Sequence, residues 1–169
     1  MINTIQFYNS IKNNGIEFFT GVPDSLLKEI CFCIDDKTPS ENHIINCNEG
    51  SSLGLCLGYN LSTGKIPLLY LQNSGLGNII NPYTSLAHKE VFDIPMILMI
   101  GWRGEPGIKD EPQHIFKGKI TGDLLNLLEI KYDVLENETE YANNQLNKAI
   151  EYIRKNNKPY ALLVKKNSF

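Results

Sequence analysis

The sequence has 169 residues, the length of one domain, and 42% apolar with 21% charged residues excludes wholesale disorder. A net charge of −3 argues against a nucleic-acid-binding protein, which carries a basic excess. No apolar run approaches the roughly 20 residues of a membrane helix, and the N-terminus lacks the pattern of a signal peptide. A cytoplasmic protein without a membrane or nucleic-acid partner is therefore expected.

Helical and extended patterns alternate through the first half of the chain. Apolar spacing predicts a helix over 4–14 that ends at Gly15, and Asp24 or Ser25 is placed to cap another. The predicted elements, in order, are helix 4–14, strand 17–20, a helix through 34, strand 43–47, helix 49–61 and strand 67–71.

The second half continues the alternation. Its predicted elements are a turn at 73–77, a helix to about 88, strand 95–100, a polar loop over 102–116, a helix near 124–128, strand 132–135, helix 140–156 and strand 160–164. About six strands separated by helices predict an α/β fold with three layers. We expect a doubly wound, mostly parallel sheet with helices on both faces, in one domain spanning 1–169.

Four segments that follow predicted strands are the candidates for a site. They are 21–25, 48–52, 73–78 and 101–114. In an open parallel sheet, ligands bind beyond the carboxyl ends of the strands, where these segments meet.

Two acidic residues each allow a functional and a purely structural interpretation. Glu49 opens a helix, where the helix dipole stabilises a carboxylate, but the small residues around it also let a flat ligand approach. Asp24 follows a strand and either caps the next helix or faces a ligand.

Two glycine-containing segments also allow both a functional and a purely structural interpretation. Residues 73–78 (NSGLGN) form either a turn with a helix cap or a set of amides that bind an anion or a heterocycle. Residues 101–114 carry Arg103, Lys109 and His114 in a long loop, which is either solvated or functional. An arginine with a lysine suits a doubly charged phosphonate or phosphate, and His114 is the one histidine at the predicted site that is placed for proton transfer near neutral pH.

Four stretches taken together resemble the thiamine-diphosphate-dependent 2-oxoacid decarboxylases, and among them the phosphonopyruvate decarboxylases. The stretches are GVPDSLL (21–27), NEGSSLGLCLGY (48–59), LQNSGLGNIINPYTSL (71–86) and GWRGEPGIKDEPQH (101–114). The resemblance implies an N-terminal pyrimidine-binding domain and conversion of 3-phosphonopyruvate to phosphonoacetaldehyde and CO2, a step in making 2-aminoethylphosphonate.

The resemblance also implies roles for single residues. Glu49 would hydrogen-bond N1′ of the cofactor aminopyrimidine and favour its imino tautomer. Asp24 and His114 would be catalytic acid–base groups. The implied cofactor-binding residues, besides Glu49, are Asn73, Ser74, Gly75, Gly77 and Asn78. As substrate ligands we expect Arg103, Lys109, Asp24 and Gln113.

The second, diphosphate-binding half that this family uses is not in the sequence. Neither its Gly-Asp-Gly motif nor the asparagine downstream of it is found. A partner domain or subunit is therefore expected to hold the diphosphate and Mg²⁺, and no metal ligand is expected in this chain. The chain alone is expected to be inactive, and the active assembly is expected to be at least a dimer. Two alternatives stay open, namely the alpha subunit of a sulfopyruvate decarboxylase and a non-catalytic binding module.

Overall fold

A computed structural model describes all residues from 1 to 169. Six helices alternate with six strands along the chain. The helices are α1 (Thr4–Asn13), α2 (Lys28–Lys37), α3 (Glu49–Thr63), α4 (Leu76–Pro82), α5 (Pro112–Leu127) and α6 (Thr139–Asn156). The strands are β1 (Phe19–Gly21), β2 (His43–Ile45), β3 (Leu68–Gln72), β4 (Ile97–Gly101), β5 (Lys131–Val134) and β6 (Tyr160–Val164).

The six strands form one sheet in the order β2-β1-β3-β4-β6-β5, and every neighbouring pair is parallel. The order reverses direction between β1 and β3, as in doubly wound sheets. The predicted fold class is confirmed, and the sheet is entirely rather than mostly parallel.

Two apolar cores lie on opposite faces of this sheet. Residues of β3 alternate between them, with Leu68 and Tyr70 in a core of 24 buried residues and Leu69 and Leu71 in a core of 17. Helices α1, α2 and α6 supply the first core, and α3, α4 and α5 the second. The central strands are buried on both faces, which is why they read as continuous apolar runs.

One predicted boundary is wrong. The polar segment over 102–116 ends earlier, because α5 begins at Pro112 and continues through the predicted helix near 124–128. Its first turns do not show the usual apolar spacing, since Gly118 packs directly on the loop. A Cβ at Gly118 would lie 1.7 Å from the carbonyl oxygen of Gly104. Proline at the first helical position was the available signal.

The helix predicted to run to about residue 88 is divided into three parts in the structure. It consists of a 3₁₀ turn (Asn73–Gly75), α4, and a π-helical turn (Tyr83–Ala87) after Pro82. The four cysteines are free, and no helix combines the length and apolarity that a membrane crossing needs.

Candidate active site

The four candidate segments meet at the carboxyl edge of the sheet, as predicted. They follow β1, β2, β3 and β4 in turn. Side-chain contacts join them, since Arg103 Nη1 donates to Ser25 Oγ at 3.0 Å and Asn78 Nδ2 donates to Glu49 Oε2 at 2.7 Å. One edge of the fold therefore gathers most of the polar side chains that the sequence singled out.

Glu49 is the first residue of α3 and is 9% exposed. Asn48 caps this helix, because its Oδ1 accepts the amides of Gly50 at 2.8 Å and Ser51 at 3.3 Å. The positive end of the helix dipole stabilises the carboxylate at this position. Glu49 Oε1 accepts no hydrogen bond within the protein, whereas Oε2 accepts that of Asn78. One carboxylate oxygen is thus available to a ligand.

Glycine at position 75 makes room for that carboxylate. A Cβ at Gly75 would lie 2.3 Å from Glu49 Oε1 and 2.5 Å from its carboxyl carbon. Position 50 also needs a glycine for lack of space, because a Cβ there would lie 2.9 Å from the Asn78 carbonyl oxygen. The small residues around Glu49 therefore let α3, α4 and the turn between β3 and α4 approach closely.

Asp24 is a second buried carboxyl group at this edge. It is 6% exposed, and its Oδ2 caps the following turn by accepting the Leu26 amide at 2.6 Å. Oδ1 is buried without a hydrogen-bond partner. Burial raises the pKa of Asp24, although the Leu26 amide and Arg103 oppose the shift. Asp24 is thus both a cap and a carboxyl group with an unused oxygen.

Asn73 is engaged within the protein. Its Nδ2 donates to the Arg103 carbonyl oxygen at 2.8 Å and to Thr121 Oγ1 at 2.9 Å, and its Oδ1 accepts the Arg103 amide at 3.2 Å. Both amide hydrogens therefore already have acceptors. The side chain joins the segments after β3 and β4, and it has no donor left for a cofactor.

The rest of the 73–78 segment borders an apolar groove of about 290 Å³ between α4 and α5. Ser74 is half-buried, whereas Gly77 and Asn78 are exposed. The groove is lined by Asn73, Ser74, Leu76, Gly77, Ile80, Lys117, Ile120, Thr121 and Leu124. Large apolar side chains are exposed nearby on α5, among them Phe116 at 68%.

Arg103 forms an ion pair that the sequence did not predict. Its Nε and Nη2 donate to Asp110 Oδ2 at 2.9 Å and Oδ1 at 2.6 Å. The guanidinium also lines a cavity of about 390 Å³, together with Ser25, Trp102 and Lys166. Lys166 follows β6 and was missed, since a lysine just past a terminal strand has no distinctive sequence pattern.

The remaining predicted residues fall into two groups. His114 lies in the first turn of α5, with its Nδ1 3.0 Å from Asp110 Oδ1. Lys109 and Gln113 are exposed and do not line the cavity beside Arg103. The structure therefore brings Asp24, Arg103 and His114 to one side and Glu49, Gly75 and Asn78 to another, with Asn73 between them. No cluster of three His, Cys, Asp or Glu side chains is placed to bind a metal ion.

The chain is similar in sequence to known proteins over most of its length. Residues 5–127 match the family model "Thiamine pyrophosphate enzyme, N-terminal TPP binding domain". A phosphonopyruvate decarboxylase of Streptomyces viridochromogenes is 35% identical over 83% of this chain, which spans 34% of that relative. The alpha subunit of a sulfopyruvate decarboxylase of Methanocaldococcus jannaschii is 33% identical, over 96% of this chain and 93% of the relative.

The fold is also found in solved structures. Benzoylformate decarboxylase from Polynucleobacter necessarius superposes with a TM-score of 0.72 at 16% identity, over 99% of this chain and 30% of that one. At such low identity the likeness concerns the fold alone. The chain thus spans about a third of the length of the first of these relatives and nearly all of the sulfopyruvate decarboxylase subunit.

Proposed function

The chain belongs to the thiamine pyrophosphate enzymes through their N-terminal TPP-binding domain, and from this premise we propose that it is the pyrimidine-binding half of a 2-oxoacid decarboxylase. The reaction proposed is conversion of 3-phosphonopyruvate to phosphonoacetaldehyde and CO2. The single observation that carries this proposal is Glu49, a buried carboxylate at a helix N-terminus with one oxygen free of protein partners.

The residues around Glu49 fit thiamine diphosphate. An aminopyrimidine is flat and needs a carboxylate acceptor at one ring nitrogen, and Gly75 lets the Glu49 carboxylate lie directly against the backbone of the segment after β3. When bound, the cofactor supplies a nucleophilic carbon and a sink for the electrons released with CO2. Glu49 holds and polarises the pyrimidine, and Asn78 fixes the carboxylate by donating to Oε2. Ser74, Gly75 and Gly77 complete the proposed cofactor contacts.

Asp24 and His114 are the proposed acid–base groups. Burial raises the pKa of Asp24, so this carboxyl group holds a proton at a higher pH than an exposed aspartate. Its Oδ1 is buried and has no hydrogen-bond partner within the protein. A carboxyl group and an imidazole at one edge provide two groups whose chemistry allows proton transfer.

The cavity beside Arg103 is the proposed place of the acidic end of the substrate. Arg103 Nε and Nη2 are bonded to Asp110 and Nη1 to Ser25, which leaves two guanidinium N–H groups for an anion. Lys166 adds a cation without an ion-pair partner. Lys109 and Gln113 lie on the same segment but are exposed, and their role as substrate ligands stays a prediction.

The proposal includes a partner. A diphosphate-binding domain or subunit would hold the diphosphate and Mg²⁺, and the assembly would be at least a dimer. The exposed apolar side chains of α5 and the α4–α5 groove are a surface suited to such a contact.

A sulfopyruvate decarboxylase is the second candidate, because the chain covers 93% of the M. jannaschii alpha subunit. The two candidates differ only in the acidic group of the substrate. The test is decarboxylation of both oxoacids with thiamine diphosphate and Mg²⁺, by the chain alone and by the chain with its diphosphate-binding partner. The proposal predicts activity only with the partner and a higher kcat/KM for phosphonopyruvate. A preference for sulfopyruvate would favour the second candidate, and no activity with a folded partner would favour a binding module.

A further inference from the structure

The carboxylate of Asp110 accepts hydrogen bonds from four donors and contacts a fifth polar group, the Nδ1 atom of His114. Oδ1 accepts Arg103 Nη2 at 2.6 Å and the Glu111 amide at 2.8 Å, and it lies 3.0 Å from His114 Nδ1. Oδ2 accepts Arg103 Nε at 2.9 Å and the Gly104 amide at 2.9 Å. No other carboxylate in the chain has as many partners, and nothing in the proposed reaction has yet used this one.

These bonds determine the charge of Asp110. The Arg103 guanidinium, foremost, then His114 and the two backbone amides hold the pKa of the Asp110 carboxyl far below its usual range, against the effect of burial. An ionised carboxylate only accepts hydrogen bonds. His114 Nδ1 must therefore carry a proton whenever the contact at 3.0 Å is made.

The backbone beneath these side chains is held equally firmly. Gly104 has a φ of +70°, and a Cβ there would lie 2.0 Å from the carbonyl oxygen of His114. Gly118 lies against Gly104 in the same way. The backbone of the loop after β4 thus packs directly on the first turns of α5. The distance from Asp110 to His114 is therefore set by these main-chain contacts in addition to the side-chain hydrogen bonds.

We propose that Asp110 is a positioning residue with two effects: it orients Arg103 for the substrate's acidic group, and it fixes neutral His114 in the Nδ1–H tautomer. Nε2 is then the nitrogen that accepts and returns a proton. The tautomer follows from the contacts and the charge of Asp110, whereas the use of Nε2 in the reaction rests on the proposed function.

The other two histidines of the chain provide internal references. His88 Nδ1 accepts the Glu90 amide at 3.4 Å, so neutral His88 carries its proton on Nε2, the opposite tautomer. His43 lies between the Tyr70 hydroxyl, 2.8 Å from Nε2, and Asp35, 3.3 Å from Nδ1. With only three histidines, the imidazole spectrum can be assigned residue by residue.

The first test is nitrogen NMR of the chain labelled with ¹⁵N in its imidazole rings, at a pH where the histidines are neutral. His114, assigned by the signals lost in His114→Gln, is expected to show a protonated Nδ1 and a bare Nε2, with His88 showing the reverse. In Asp110→Ala, which leaves no side-chain acceptor for Nδ1–H, the His114 tautomer is expected to shift toward Nε2–H. An Nε2–H tautomer in the unmodified chain, or a tautomer unchanged by Asp110→Ala, would overturn the proposal. The tautomer of the unmodified chain is measured whether or not Asp110→Ala folds.

The second test separates positioning from a structural role, in the enzyme completed by its partner. Asp110→Asn is expected to lower kcat at least about tenfold through His114 and to raise KM through Arg103. In a His114→Gln background the effect on kcat is expected to disappear while the effect on KM persists. Full additivity of the two kcat effects would overturn the positioning role.

Asp123→Asn is the matched control, since Asp123 is exposed on α5, the helix that carries His114, and makes no side-chain hydrogen bond. It is expected to leave both kinetic constants unchanged. If the completed enzyme decarboxylates neither oxoacid, the proposed function fails, and the NMR result still decides the tautomer.

Discussion

The side-chain amide of Asn73 bonds both backbone groups of Arg103, accepting from its N–H at 3.2 Å and donating to its C=O at 2.8 Å. An amide in this arrangement acts like a neighbouring strand residue, and it continues the link between β3 and β4 beyond their last paired residues, Gln72 and Gly101. The polar residues of the two halves of the site are thereby fixed relative to each other.

Removing this amide tests its structural role. Asn73→Ala leaves the part-buried backbone groups of Arg103 and the buried Thr121 Oγ1 with fewer partners, and a buried group left unsatisfied costs about 1–3 kcal/mol. We expect the free energy of unfolding, measured in urea, to fall by at least about 2 kcal/mol. Asn126→Ala, at an exposed position of α5, is the control and is expected to change stability by less than about 0.5 kcal/mol. Equal stabilities for the two variants would contradict the assignment.

Gly75 provides a test of the space around Glu49. In Gly75→Ala the new methyl group would lie 2.3 Å from Glu49 Oε1, so the carboxylate must move. We expect a loss of about 1–3 kcal/mol in stability and a large loss of turnover in the completed enzyme. Gly58→Ala, in α3 with nothing within 4 Å of its Cβ, is expected to gain about 0.5–1 kcal/mol in stability. A stable Gly75→Ala variant with full turnover would show that Glu49 tolerates displacement.

The fold was predictable because its signals are local. The continuous apolar run of β6 predicted its bounds without error, and α3, predicted over 49–61, ends two residues later at Thr63, before Gly64 with its φ of +70°. The carboxyl-edge position of Glu49 and Asp24 followed from the alternation of strands and helices. These predictions need only periodicity and topology.

The links between side chains were not predictable. Asp110 is one of six charged or titratable residues in the segment 101–114, and only the folded chain shows that it, rather than a ligand, takes two donors of Arg103. Likewise, the start of α5 was missed because Gly118 replaces an apolar side chain where the helix meets the loop backbone. Contacts between segments that are remote in sequence leave no periodic pattern.

The buried carboxyl group of Asp24 predicts a pH-dependent stability. Burial raises its pKa, so the folded state binds this proton more readily than the unfolded state. This group's contribution to stability is therefore present at low pH and is lost as the pH rises through its folded pKa. Asp24→Asn keeps a cap oxygen for the Leu26 amide without the charge, and we expect it to be more stable than the unmodified chain at pH 7.5.

That difference is expected to shrink as the pH is lowered toward 4, as measured by urea unfolding at several pH values. Asp123→Asn is the control and should show no such trend, because Asp123 is exposed. A less stable Asp24→Asn variant at pH 7.5 would mean that the charge of Asp24 stabilises the fold.

The most direct test of the central claim is the turnover of Glu49→Gln in the enzyme completed by its diphosphate-binding partner, with thiamine diphosphate and Mg²⁺. Glutamine keeps the size of the side chain and an oxygen for Asn78 but does not polarise the pyrimidine as a carboxylate does. We predict a loss of kcat of about 100-fold or more with an unchanged melting temperature. No loss is expected for the control Glu41→Gln, because Glu41 is exposed and precedes β2, at the amino end of that strand. Full turnover by Glu49→Gln would contradict the assignment of this chain as the pyrimidine-binding half of the enzyme.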